Sequence, residues 1–327
     1  MRVHTDLEQI PVFSNAVVTI GTFDGVHTGH QQIINQLKTE AQAVKGETVI
    51  ITFDPHPRRI VHGQTKELKL INTLSEKIIL LRSKGIDHLV IIPFTKAFSD
   101  QEATDYIENF LVKNFHPHTI IIGYDHRFGH NRKGNFQLLE DMKDKYGYAV
   151  KEIPVHILQN SSISSTKIRQ AVIDGQIETA NEFLGYPYFF EGTVVVGNKL
   201  GRTIGYPTAN LQIDDAEKLI PGNGVYAVTI ELCGDNQSSI TTLKGMMNIG
   251  VRPTVDGTKR TIEVNIFDFD QDIYGNLVRV YVRSYLRSEV KFNGLEALKA
   301  QLAKDKIDAI KTLEKLPEFS VATIESR

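Results

Sequence analysis

Tryptophan is absent from the 327 residues and cysteine occurs once, at Cys233. One thiol cannot close an internal disulfide, so the chain is no stapled secreted scaffold, and a reducing compartment is expected. Neither sign of charge dominates: 37 Lys and Arg face 39 Asp and Glu, for a formal net charge of -2. That balance argues against a chain built to coat nucleic acid or a membrane surface. No apolar run approaches the roughly 20 residues that cross a bilayer. The opening Met1-Arg2-Val3-His4-Thr5-Asp6-Leu7-Glu8 carries acids where a secretion signal needs an unbroken apolar stretch. Histidine also runs out, since all 11 lie at or before His156. What remains is 41% apolar and 23% charged, an ordinary globular composition whose length suits two domains of about 100–200 residues. A cytoplasmic protein with no nucleic-acid and no membrane partner is expected.

The first half alternates strand with helix. Val17–Ile20, Thr48–Phe53, His88–Phe94, Thr119–Gly123 and Tyr148–Ile153 are short apolar runs. Between them, Ile33, Ile34, Leu37, Ala41 and Val44 share one helical face, Leu74–Lys84 reads as a helix, and another stretch starts at Phe136. Ser99-Asp100-Gln101-Glu102 has the form of a capping box opening a helix towards Phe115. This predicts an α/β domain with a doubly wound parallel sheet. From about Glu191 strand follows strand: Gly192–Val196, Val225–Glu231, Thr241–Asn248, Ile262–Phe269 and Val278–Leu286, with a helix only from Leu295. That predicts a small antiparallel β-barrel with a terminal helix. Gly185-Tyr186-Pro187 punctuates the change, giving expected domains 1–185 and 186–327.

Gly21-Thr22-Phe23-Asp24-Gly25-Val26-His27-Thr28-Gly29-His30 joins the first strand to the first helix. Its glycines let backbone approach a ligand, and a helix start offers free N–H groups to an anion. His27 and His30 share a face on a first turn and can donate hydrogen bonds to one phosphate group. The spacing is neither GxxxxGK[ST] nor GxGxxG. Two plainer readings stand beside this one. The pair could be half a zinc site completed from His56, His116 and His118, or the segment could be a structural glycine-rich turn. In the second half, Gly197, Gly201 and Gly205 mark a loop able to approach phosphates. Thr208 and Asn210 then point the same way along an extended segment, two hard oxygens that suit Mg²⁺ held with substrate phosphates, or a turn with an Asx-type bond. Glu263 falls opposite Ile262, Val264 and Ile266 on its strand.

HxGH after a first strand resembles the signature of the nucleotidyltransferase superfamily, and the string Gly21–His30 is similar to that of prokaryotic bifunctional riboflavin kinase/FAD synthetases. Thr52-Phe53-Asp54-Pro55-His56-Pro57, Gly123–Gly129 with Arg132 and Gly134, and Ser162–Arg169 resemble the same family, as do the PTAN string at Pro207–Asn210 and Gly250–Thr254. His126 stands where the family usually has phenylalanine, and Ser288 departs from its usual Arg-Asp-Glu pattern. The resemblance implies an FMN adenylyltransferase in 1–185 and a riboflavin kinase in 186–327, together turning riboflavin into FMN and FMN into FAD with ATP and Mg²⁺. It assigns catalysis to His27, His30 and Glu263. ATP and its phosphates fall to Gly21, Phe23, Gly29, Ser164, Ser165, Thr166 and Arg169 in the first domain, and to Gly197, Gly201 and Gly205 in the second. Flavin contacts go to Asp125, Phe128, Arg132, Arg252, Pro253 and Thr254, and the metal to Thr208 and Asn210. The rival expectations are a flavin-binding regulator without catalysis and a nucleotidyltransferase with one activity.

Overall fold

The computed structural model describes residues 1–61, 68–153, 163–197, 200–233, 242–254 and 257–320, with backbone alone at Leu200, 252–254 and 257–259. They divide into two compact units, Met1–Ser165 and Thr166–Arg327.

In the first unit, β1 (Arg2–His4), β2 (Val17–Ile20), β3 (Thr48–Asp54), β4 (His88–Pro93), β5 (Thr119–Gly123) and β6 (Ala149–Ile153) form one sheet in the order β1-β4-β3-β2-β5-β6. Its pairings are parallel. Every residue of β2, and β3 up to Phe53, is buried. Both faces of the sheet are therefore covered, which is why these strands read as continuous apolar runs. Helices α1 (Thr28–Ala43), α2 (Leu74–Ser83) and α3 (Phe136–Tyr146) lie between strands in the chain, and α1 buries Ile34, Leu37 and Ala41. The doubly wound parallel sheet is the observed fold.

One helix start differs from expectation. Ser99 and Glu102 form no capping box. Ser99 instead ends a short turn capped by Thr95, and its Oγ donates back to Lys96 O at 2.8 Å. Glu102 precedes the next helix without a side-chain cap bond, and that segment, 103–115, widens to π geometry over Tyr106–Val112. A true box forms at the head of α2, where Glu76 N donates to Thr73 Oγ1 at 3.2 Å and Thr73 N to Glu76 Oε2 at 2.9 Å.

The sheet order also places the site. β2 has β3 on one side and β5 on the other, so the winding reverses between β2 and β5. Ligands of open α/β sheets bind beyond the carboxyl ends of the strands at such a reversal. The loops after β2 and after β5 both leave the sheet there.

The second unit begins at Thr166, one residue into α4 (Ser165–Ile173), which leads to α5 (Ile177–Leu184). The units divide ahead of Gly185 because α5 packs on the barrel. Asn181 Nδ2 donates to Val282 O at 3.0 Å, its Oδ1 accepts from Tyr188 N at 2.7 Å, and Ser284 Oγ donates to Glu178. β7 (Phe189–Val195), β8 (Ala209–Gln212), β9 (Gly224–Cys233), β10 (Thr242–Thr254), β11 (Gly257–Ile266) and β12 (Leu277–Arg287) close an antiparallel barrel in the order β10-β11-β8-β7-β12-β9. Helix α6 (Leu295–Lys315) lays Ala309 and Leu313 on Ala227, Met246 and Phe267. The small barrel with its terminal helix is as expected. Gly250–Thr254 is strand: its backbone stays in β10 and pairs with β11 as far as Thr254↔Gly257. Thr241 and Ser162 lie outside the described residues.

Candidate active sites

His27 is the N-cap of α1, so the helix starts at Thr28 and His30 already sits in its first turn. His27 Nδ1 accepts from the His30 backbone N–H at 3.4 Å. With Nδ1 an acceptor, neutral His27 carries its proton on Nε2 and donates from there. The two rings stack with centroids 3.7 Å apart at 21°. Gly29 makes this possible, because a Cβ there would stand 3.2 Å from the His27 ring. Phe23 and Val26 both hold left-handed φ, 47° and 37°, each at a cost of about 1–3 kcal/mol. The loop keeps that shape because Asp24 Oδ1 accepts from the N–H of Ile71 at 3.0 Å and of Asn72 at 3.4 Å, while Gln31 Nε2 donates to Val26 O at 3.0 Å. Burial lowers the His27 pKa to about 4, with Asp24 pulling it upward. Burial, then His27, then Lys77 hold His30 well below the ordinary imidazole range. Both rings are neutral at pH 7, suited to donating hydrogen bonds and not to carrying charge.

The other residues that the resemblance assigns to adenylyl transfer fall in several segments. Gly21 N donates to Ile51 O at 3.0 Å, and the buried Phe23 ring lies 5.0 Å from that of His30. Ser165 Oγ donates to Asp24 O at 3.0 Å, and Ser164 is exposed. Thr166 and Arg169 lie on α4 in the second unit. In the loop after β5, Asp125 and Arg132 are exposed, whereas Phe128 is 7% exposed with its ring stacked on Tyr106 at 5.0 Å. His126 packs 6.0 Å from Phe128, and burial brings its pKa to about 4. The zinc reading loses its ligands to the topology. His116 and His118 stand before the start of β5, at the amino end of the parallel strands, whereas His27 and His30 follow the carboxyl end of β2. Among the described residues no three His, Cys, Asp or Glu could hold a metal together.

The barrel carries the second site. In register, Glu263 of β11 faces Asn210 of β8 on one side and Asn248 of β10 on the other. Directly opposed residues share a face with Cβ atoms about 4.5–5.5 Å apart, so the three side chains form a row. Glu263 and Asn248 of this row border a cavity of about 250 Å³ between the barrel wall and α6, lined also by Thr208, Asn265, Arg287, Glu289 and Asp305. Asn265 Nδ2 donates to Pro207 O at 2.6 Å and pins the segment that carries Thr208. Arg287 holds Asp305 of α6 with two bonds of 2.9 and 2.6 Å. Thr208 also lines an adjoining cavity of about 20 Å³ with Gly197, Arg202, Pro207, Asn210 and Tyr274, room for one water-sized particle. A Cβ on Gly197 would lie 2.2 Å from Asn210 Nδ2, so bare backbone there gives the amide its place. The Gly201 carbonyl accepts from Tyr206 N at 2.8 Å, and Gly205 has φ 84°. The backbone of Arg252, Pro253 and Thr254 is in β10 and their side chains lie outside the described ones. Sequence reasoning missed Asn248, Asn265 and the Arg287–Asp305 pair, which only strand register and helix packing bring to the cavity.

Fold and sites together define a two-unit nucleotide enzyme: a parallel α/β unit with an HxGH loop at its winding reversal, and a barrel with an Asn-Glu-Asn row beside Thr208. The family model for FAD synthetase matches residues 9–167, and that for riboflavin kinase matches 184–313. The chain belongs to the bifunctional riboflavin kinase/FMN adenylyltransferase family. A relative of that description from Haemophilus influenzae is 37% identical over 90% of this chain and 93% of its own length. One from Listeria monocytogenes is 37% identical over 93% and 94%, and one from Escherichia coli 35% over 93% and 94%. A solved structure described as a macrolide-efflux protein from Streptococcus pneumoniae superposes with a TM-score of 0.84 at 33% identity, covering 94% of this chain and 98% of that one. Among the described residues of this chain, no helix is long and apolar enough to cross a membrane.

Proposed function

We propose that the chain makes FAD from riboflavin in two steps. The second unit transfers the γ-phosphoryl group of ATP to the terminal hydroxyl of riboflavin, giving FMN and ADP. The first unit joins AMP from a second ATP to the FMN phosphate, giving FAD and pyrophosphate. The observation that carries the kinase assignment is the Glu263 row: a carboxylate set between two amides at a cavity wall shared with Thr208. Glu263 takes the hydroxyl proton as the oxygen attacks phosphorus and holds that oxygen in line. Thr208 and Asn210 meet at the small cavity with a hydroxyl and an amide oxygen, a donor set that fits Mg²⁺ better than a softer metal. Bound there with ATP, Mg²⁺ would offset phosphate charge. Gly197, Gly201 and Gly205 line the phosphate approach, and Arg252, Pro253 and Thr254 are the flavin side of the barrel site.

In the first unit the FMN phosphate is already a nucleophile, so no base is required. His27 and His30 donate to the phosphoryl oxygens as charge builds there. Gly21, Phe23 and Gly29 shape that loop, with Ser164, Ser165, Thr166 and Arg169 for the triphosphate and Asp125, Phe128 and Arg132 for the flavin. The lone cysteine and the dependence on ATP suit a cytoplasmic setting. Incubation with riboflavin, ATP and Mg²⁺, followed by chromatography, should yield FMN and then FAD. Flavin binding with neither product would point to a regulator, and one product alone to a single activity.

A further inference from the structure

Behind the loop that carries His27 and His30, α2 contributes one lysine. Lys77 is 6% exposed. Its Nζ donates to Thr52 Oγ1 at 3.5 Å, and that fully buried hydroxyl donates in turn to Thr22 O at 3.2 Å, within the loop. Asp24 and Asp54 are the acids facing it, and His30, beside His27, is its titratable neighbour. Arg279 closes directly on Glu191 and Glu231, whereas the buried Arg283 and Lys218 donate to the backbone oxygens of Pro317 and Phe189. Among the described residues no ion pair of that kind closes on Lys77. Its ammonium is compensated by Asp24 and Asp54 at a distance and by the Thr52 hydroxyl, so an anion arriving beside it would add a partner that the resting fold does not place in contact.

We infer that Lys77 is a positioning residue for adenylyl transfer: its ammonium is a fixed positive charge set behind the β2–α1 loop, readying that loop and its histidines for a polyphosphate. The inference rests on the adenylyltransferase reading of this unit. Burial lowers the Lys77 pKa, while Asp24 and Asp54 oppose the shift. Lys77 in turn helps hold His30 uncharged, so the histidines stay donors while the lysine supplies charge. The Thr52 link ties the same group to the backbone of the loop. An incoming triphosphate would meet positive potential without requiring a protonated imidazole.

Histidine and lysine side-chain NMR on the full chain tests this. In the wild type, ATP should shift the Lys77 ammonium resonance and raise its titration; an unchanged resonance under saturating ATP overturns the proposal. In Lys77→Gln, His30 should titrate about 0.5 pH unit or more higher. The acid limb of kcat for FAD formation should move the same way, with kcat down about 10-fold and KM for FMN changed little. Lys77→Arg should keep the parental pH profile. A Lys77→Gln chain with parental His30 titration and pH profile refutes the idea. If Lys77→Gln does not melt cooperatively, the wild-type ATP experiment decides. Failure of the wild type to make FAD from FMN would instead fault the underlying reading and leave the titrations to be judged separately.

Discussion

Cutting the chain at 186 should unfold the kinase unit, whereas cutting at 166 should not. The cut at 186 follows the glycine–proline punctuation of the sequence, but it removes α5. That helix buries Ile177, Ala180 and Leu184 to 0% exposure. Two large aliphatic side chains are each worth about 1.5–3 kcal/mol when buried. Asn181 adds bonds to Tyr188 N and Val282 O, and Glu178 one to Ser284, each about 0.5–1.5 kcal/mol net. The loss comes to about 5–10 kcal/mol, comparable with the entire stability of about 5–15 kcal/mol usual for a domain. Removing Asn181 also leaves the N–H of Tyr188, a fully buried residue, without its partner. Circular dichroism melts and riboflavin phosphorylation should be measured on fragments 166–327 and 186–327. The longer fragment should melt cooperatively and make FMN but no FAD. A shorter fragment melting within about 5 °C of the longer one would refute the reasoning, since 1 kcal/mol alone moves a domain of this size by about 2–8 °C.

Other outcomes follow from the two sites. His27→Ala should lower FAD formation by about 10²–10³ and leave FMN formation nearly intact, read by chromatography with FMN or riboflavin as substrate. Glu263→Gln should lower single-turnover riboflavin phosphorylation by about 10²-fold or more, with adenylylation of added FMN unchanged; a near-normal rate would leave Glu263 a wall residue. Thr208→Val keeps shape but removes an oxygen, so kinase activity should need more Mg²⁺ for half saturation, seen in a metal titration. Low pH should destabilise the first unit through His27. Its pKa is about 4 folded against 6.5 unperturbed, so the unfolded chain takes up a proton that the folded one refuses. Its stability contribution is full above about pH 6.5 and is lost as pH falls towards about 4; melting midpoints across that window should fall, and less so in His27→Gln.

What was legible in the sequence was local. The HxGH loop lies within ten consecutive residues, Gly21–His30, so spacing alone places both imidazoles on one turn. Strand runs such as Thr48–Phe53 declare a sheet buried on both faces. Contacts set by register were not legible. Nothing in the spacing of Asn210, Asn248 and Glu263 says that β8, β10 and β11 bring them into one row. The capping box shows the reverse failure: S-x-x-E fits Ser99 and Glu102, but the Ser99 hydroxyl already serves the preceding turn. A cap forms where competing partners allow it. The histidine that caps α1 went unnoticed for a related reason, since imidazole is not among the usual capping side chains.

On the proposed reading the two sites differ in how they treat a proton, and the structure around each agrees with that difference. Riboflavin offers a neutral hydroxyl, so its site needs a carboxylate that can take a proton. Glu263 sits half-buried between amides at a cavity wall, within reach of a ligand there. FMN offers a phosphate that is already charged, so a base would gain nothing and a protonated imidazole would have to be desolvated. The first unit accordingly buries its histidines, which lowers their proton affinity, and fixes the His27 tautomer with a backbone N–H. Such neutral donors add no charge of their own. Exchanging the two designs would fail on elementary grounds. A buried carboxylate beside FMN would repel the nucleophile, and a neutral imidazole with its Nδ1 occupied could not take the riboflavin proton through that atom.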